Sequence, residues 1–267
     1  MNKRSISFLI AVGCTLLTTA CQPIQPLSES SAKVTTTTVT TAPATTAASL
    51  QERYAAALQD AKIAEADEVF DGLTAIRADN ADLQWQADSN RVLMVTWTSW
   101  DGYDTQMGKE IQLAREVWVT AVPQLQSFCQ SYQATAEVPL ALRMEELLGL
   151  PPNNGKSRMV EMWVNPDDLF RPSPDGEIND TVAELEMPTA DHFPSQQAYE
   201  FHRDWFNLQL TLDNYDDPSK GYPWTRLGYT FDWGNPKSEI GLSEFVISAS
   251  STVTIEKVYS NDEYCGK

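Results

Sequence analysis

The chain has 267 residues, with 37 acidic against 19 basic side chains and a formal net charge of −18 at pH 7. A surface that acidic repels phosphate backbones and anionic head groups, which argues against nucleic acid as a partner. No G-x-x-x-x-G-K-[ST], G-x-G-x-x-G, G-x-S-x-G or H-E-x-x-H pattern occurs, so phosphate-loop binding, elbow-type serine hydrolysis and zincin chemistry have no support.

In chain order, Lys3 and Arg4 precede an apolar run from Ile6 to Leu17, and Thr18, Thr19 and Ala20 lead to Cys21. Charge, apolar run and small residues in that order read as a secretory signal, too short to be a stable membrane span. A cysteine directly after the small residues resembles the lipobox of bacterial lipoproteins. That family usually carries Leu three places before the cysteine; here Thr18 stands there, with Leu17 one place further back. The resemblance implies that residues 1–20 are removed and that Cys21 is lipidated and anchors the chain in the cell envelope. With Gln22 rather than Asp next, it implies the outer membrane in a Gram-negative host. The competing reading is a soluble secreted protein cleaved near Ala20.

Residues 21–49 hold Thr35–Thr38, Thr40, Thr41, Thr45 and Thr46 among Ser, Ala and Pro, with no aromatic residue. Too little apolar surface is present to offset ordering, so a disordered tether is expected, reaching ~30 Å on average as a flexible coil. Residues 50–267 contain all 8 Trp and are expected to form a single acidic globular domain.

Leu50, Tyr54, Leu58, Ala61 and Ala64 recur at helical spacing, which gives a helix from Leu50 to Phe70 stopped by Asp71-Gly72. Leu83–Trp85 and Val92–Thr98 read as strands, the second apolar on both sides and therefore interior. Val117–Val122 reads as another strand. Short helices follow from Pro123 to Tyr132 and from Leu140 to Leu148. Met159–Val164 alternates as a strand, with Glu161 and Trp163 on the face opposite Val160 and Met162. Pro166–Pro188 reads as loop. Ser195 caps a helix running to about Leu208. Arg226–Trp233 is a strand, and Glu244–Tyr259 is two strands turning at Ser248–Ser251. Strands and helices do not alternate regularly, so the expected class is α+β, with a mainly antiparallel sheet and several short helices.

Of the 4 Cys, Cys14 leaves with the signal and Cys21 carries the lipid. In an oxidising compartment the remaining Cys129 and Cys265 are expected to form one disulfide; the alternative is two separate buried thiols.

For chemistry, Trp97-Thr98-Ser99-Trp100-Asp101-Gly102-Tyr103-Asp104 follows an interior strand, where loops carry function. Aromatic faces beside carboxylates suit a sugar ring, and Trp224 and Trp233 lie in a similar stretch. Trp100, Asp101, Tyr103, Asp104 and Trp233 are therefore candidate ligand contacts; the competing reading places the tryptophans in cores. Glu161 and Asp101 are candidate catalytic carboxylates, Glu161 because a strand environment beside Trp163 would raise its pKa. Against that stands plain exposure or a salt bridge.

His192 and His202 fit no common metal spacing, and His202 reads as a hydrogen-bonded helix residue. Asp213-Asn214-Tyr215-Asp216-Asp217 is acidic enough for calcium but fails the EF-hand pattern. No metal site and no cofactor are assigned. The expected function is an envelope-anchored, non-catalytic ligand- or protein-binding domain, with a saccharide or an envelope protein as partner and the membrane held through the lipid. The alternative is a carbohydrate-active hydrolase using paired carboxylates in an aromatic cleft.

Overall fold

A computed structural model describes residues 45–266. The signal segment, Cys21 and the tether as far as residue 44 lie outside the described residues.

The apolar run Val92-Leu93-Met94-Val95 has no polar face to offer solvent, and it forms strand β1 (Val92–Thr98) in the interior of a sheet. The other strands are β2 (Glu110–Gln112), β3 (Val117–Ala121), β4 (Arg158–Val164), β5 (Leu169–Phe170), β6 (Tyr229–Phe231), β7 (Ile240–Ile247) and β8 (Thr252–Ser260). Their order is β2-β8-β4-β1-β3-β7-β5, with β6 also on β7, and every pairing is antiparallel. Five helices accompany them among the described residues: α1 (Thr45–Asp60), α2 (Gln124–Ser131), α3 (Leu140–Leu147), α4 (Gln196–Leu212) and α5 (Asn261–Tyr264). The domain is α+β.

Side chains alternate across a strand, so the sheet has two apolar faces. Val92, Met94, Val160, Met162, Phe245 and Ile255 form one, covered by Ile76, Leu83, Tyr103 and Leu113 from the loops. Leu93, Val95, Trp97 and Met159 form the other, covered by Leu125 and Cys129 of α2, Met144 and Leu147 of α3, and Tyr264 of α5. Each fully buried aliphatic or aromatic side chain contributes roughly 1.5–3 kcal/mol. Cys129 and Cys265 meet on this second face as a disulfide, with Cα atoms 5.3 Å apart. Further cores form where α1 lies on Phe231 and Trp233, and where Trp205 and Phe206 of α4 meet Trp224.

Several boundaries differ from the expectation. Helix α1 starts at Thr45, inside the expected tether, and ends at Asp60 rather than Phe70. Beyond that point tertiary bonds claim the backbone: Arg226 Nη2 donates to Ala61 O at 2.8 Å and the Tyr229 hydroxyl to Glu68 O at 2.9 Å. Leu83–Trp85 supplies only the bridge from Trp85 to Val92. Strand β6 keeps three of the eight expected residues. The loop 166–188 contains the two-residue strand β5, paired to Ile247 and Val246 of β7. No described helix is long and apolar enough to cross a membrane.

Candidate functional site

Strand β1 ends at Thr98, whose Oγ1 accepts a bond from Trp100 N at 3.1 Å and starts the turn. Gly102 then lets the Trp100 indole lie back over the backbone, because a Cβ there would collide with the ring. Tyr103 meets the indole edge-on, with centroids 4.7 Å apart. Tyr103 is itself buried in the core, so the indole rests on a fixed support while Trp100 stays 57% exposed. The same loop continues to Asp104, which accepts from Arg158 Nε at 2.9 and 3.0 Å. Beside it runs an open groove of about 330 Å³ lined by Asp104, Met107, Ser157, Arg158, Tyr259 and Ser260. Asp101 is exposed.

The other aromatic candidates are elsewhere. Trp233 is buried against Tyr54 of α1 at 5.7 Å, and its indole N–H donates to Leu150 O at 3.0 Å. Trp224 is buried and donates to Pro172 O, and Trp97 donates to Asn261 Oδ1, each at 2.9 Å. The single aromatic cleft expected from Trp100 and Trp233 is therefore not assembled; three of the four tryptophans belong to cores, as their size favours.

Of the two candidate catalytic carboxylates, Glu161 is buried and Asp101 is exposed. Glu161 sits on the face that carries Met159, where the Tyr259 hydroxyl donates to it at 3.2 Å and burial pushes its pKa up. Arg158, which holds Asp104, alternates onto the face of Val160 and Met162. Along β4, Glu161 and Arg158 thus point to opposite faces, while Tyr259 both lines the groove beside Asp104 and bonds Glu161.

His202 is buried, its Nε2 is 2.8 Å from Ser173 O, and burial lowers its pKa. In the acidic loop at 213–217, Asp216 accepts from Lys62 Nζ at 2.8 Å and Asp217 from Lys220 Nζ at 2.7 Å. Those carboxylates are already matched by ammonium groups, and the contacts to Lys220 and Ser219 pull Asp217 down to about 2.

A denser polar cluster lies in residues 171–184. Arg171 is fully buried and acts as its hub: Nε donates to Glu177 O at 3.0 Å, and Nη2 to Asp180 O at 3.2 Å and Thr74 O at 3.3 Å. Gly176 adopts a φ of 70° and lies so close to the His202 ring that no side chain fits. This folding brings one carboxylate oxygen from each of Asp175, Asp180 and Glu184 within 4.8 Å of one another. Contact with the Asp175 carboxylate, then burial, pushes Glu184 up to about 8. The Ser173 hydroxyl donates to Asp175 Oδ1 at 2.5 Å. Nothing in the sequence singles these acids out: their spacings of five and four fit no ligand motif, and 37 acids are available.

Compared with protein-family models, curated proteins and solved structures, the chain matches none of them.

Proposed function

We propose that the chain is an envelope-anchored, non-catalytic binding domain that receives a saccharide on the Trp100 indole and the adjoining groove. Lipid on Cys21 would anchor the chain through the threonine-rich segment. The observation that carries the reading is the exposed indole of Trp100, fixed in orientation by Gly102 and Tyr103. A ring held in place loses little conformational freedom on binding, which favours affinity. Its outer face suits the C–H face of a pyranose, while Asp101 beside it accepts from hydroxyls. The exposed ring supports binding directly, whereas hydrolysis would need two carboxylates ~5–10 Å apart around one bond, and Glu161 is buried and engaged by Tyr259.

The test is a titration of cell-wall glycan fragments into the full chain in detergent micelles, followed by intrinsic tryptophan fluorescence. A saturable change that disappears in Trp100→Ala is expected. A flat titration, or the same response in Trp100→Ala, overturns the reading.

A further inference from the structure

We infer that Asp175, Asp180 and Glu184 form a calcium site that ties down the 171–184 loop. The inference does not depend on what the Trp100 face binds.

The geometry comes first. Calcium takes oxygens at about 2.3–2.6 Å, so two ligands on opposite sides of one ion are about 4.6–5.2 Å apart. The three carboxylate oxygens all lie within 4.8 Å of one another, so a single ion reaches all of them with little rearrangement.

The second observation is a buried carboxylate oxygen that no N–H or hydroxyl donor reaches. Asp175 is 7% exposed, and its Oδ2 has no hydrogen-bond partner. An unmatched buried charged group costs well over 1–3 kcal/mol, so native structures pair such groups or place them on metals. Asp180 Oδ1 also lacks a hydrogen bond; its nearest cation is Arg171 Nη2, 3.9 Å away. Arg171 offsets one negative charge of the cluster, and the Glu177 carboxyl also lies beside Asp180. A dication would draw these carboxyls into their ionised form and offset their charge.

The donor chemistry narrows the ion. All three donors are carboxylates, with no thiolate or imidazole among them, which disfavours zinc and copper. The neighbouring His202 is occupied by Ser173 O. Three carboxylates close together, each able to bind through one or both oxygens, suit the irregular six-to-eight coordination of calcium better than the strict octahedron of magnesium. Asp175 forms the floor and the exposed Glu184 gives the ion a path from solvent.

The loop is already shaped for it. Leu73 N donates to Thr181 O at 2.9 Å, Ile76 N to Ile178 O at 2.6 Å and Arg171 N to Gly176 O at 3.0 Å. An ion on the three carboxylates would close this loop upon the 73–76 segment and, through Ser173, upon α4.

The test uses the full chain in detergent, stripped with EDTA at pH 7.5. Calcium chloride titrated in a calorimeter should give one saturable site, and excess calcium should raise the thermal midpoint by several degrees; magnesium chloride at equal concentration should do less. Glu184→Gln removes an exposed ligand without disturbing the core and should weaken calcium about tenfold or more, since affinity follows ligand charge. Asp217→Asn, in the separate acidic loop, should leave it unchanged. Absence of a saturable calcium heat overturns the inference, as does wild-type affinity in Glu184→Gln. A midpoint that rises on acidification but ignores calcium also overturns it, because a proton shared by Asp175 and Glu184 would then be what holds the cluster.

Discussion

Arg143 and Asp232 meet fork to fork: Nη1 donates to Oδ1 at 2.8 Å and Nη2 to Oδ2 at 2.6 Å. The side chains are 13% and 3% exposed, and the pair fastens α3 to the turn after β6. Asp232 Oδ1 also accepts from Gly234 N at 3.1 Å, so its carboxylate has few free lone pairs. Deleting the arginine strands a buried charge, a change that costs about 3–5 kcal/mol. Arg143→Ala should show that loss as a lower urea midpoint. Arg143→Lys should recover only part of it, because a single ammonium does not reproduce the bidentate fork. A loss under ~1 kcal/mol would place the pair with exposed ion pairs instead.

The disulfide closes a far larger loop. Cys129 and Cys265 are 136 residues apart, and both are buried against the helix-covered face of the sheet. In the chain-entropy model a crosslink of that span stabilises by ~5 kcal/mol. For a domain of this size each kcal/mol shifts the midpoint by roughly 2–4 °C. Reductant should therefore lower the calorimetric midpoint by roughly 10 °C or more, and Cys129→Ala should match the reduced protein. An unchanged midpoint under reductant would mean that the packing around Tyr264 holds the C-terminal turn unaided.

What the sequence made legible was set chiefly by burial. β1 and β4 announce themselves because runs such as Val92–Trp97 have no solvent face to hide, and the β7–β8 turn falls at Ser248–Ser251 as expected. The disulfide was expected because reading Cys14 and Cys21 as signal and lipid positions leaves two cysteines, and those two meet. β2 and β5 were not legible: at three and two residues their pairing is imposed by β8 and β7. α5 does carry a local signal, the capping box of Ser260 and Glu263, ahead of only four helical residues. Trp100 could not be told from Trp97 or Trp233 by composition; only the turn at Gly102 turns it outward. The Asp175 cluster exists because the buried Arg171 gathers distant backbone carbonyls, and no local pattern records that.

Burial also sets a pH dependence. Glu244 on β7 is buried opposite Thr120 of β3; its Oε1 has no partner, and burial pushes its pKa well above the ordinary value near 4.5 despite the neighbouring Arg171. Such a carboxyl keeps its proton in the folded state while the unfolded chain releases it. Its stabilisation is therefore present below about pH 4.5 and is lost as pH rises from there towards the folded value. Burial shifts Glu145 and Glu161 the same way, so their contributions fall in the same direction. Urea unfolding across this range should show stability declining with pH. Glu244→Gln should flatten that decline and be the more stable form at pH 8. If Glu244→Gln is instead less stable at pH 8, Glu244 is ionised and paired with Arg171.

Trp100 and Trp233 separate folding from binding. Trp233 is 7% exposed, bonds Leu150 O and carries the Arg53 guanidinium 5.3 Å from its ring centre. Trp233→Ala removes a filled volume and a buried hydrogen bond, and should cost about 3–5 kcal/mol. Trp100 is 57% exposed. Trp100→Ala should cost under about 1 kcal/mol, in the range of ordinary surface changes. The proposed ligand should respond the other way: fluorescence titration should show binding lost in Trp100→Ala and kept by Trp233→Phe, which leaves most of the buried ring in place. If Trp100→Ala instead unfolds the domain, the indole is a structural lid over Tyr103, and the ligand face has to be sought elsewhere on the sheet.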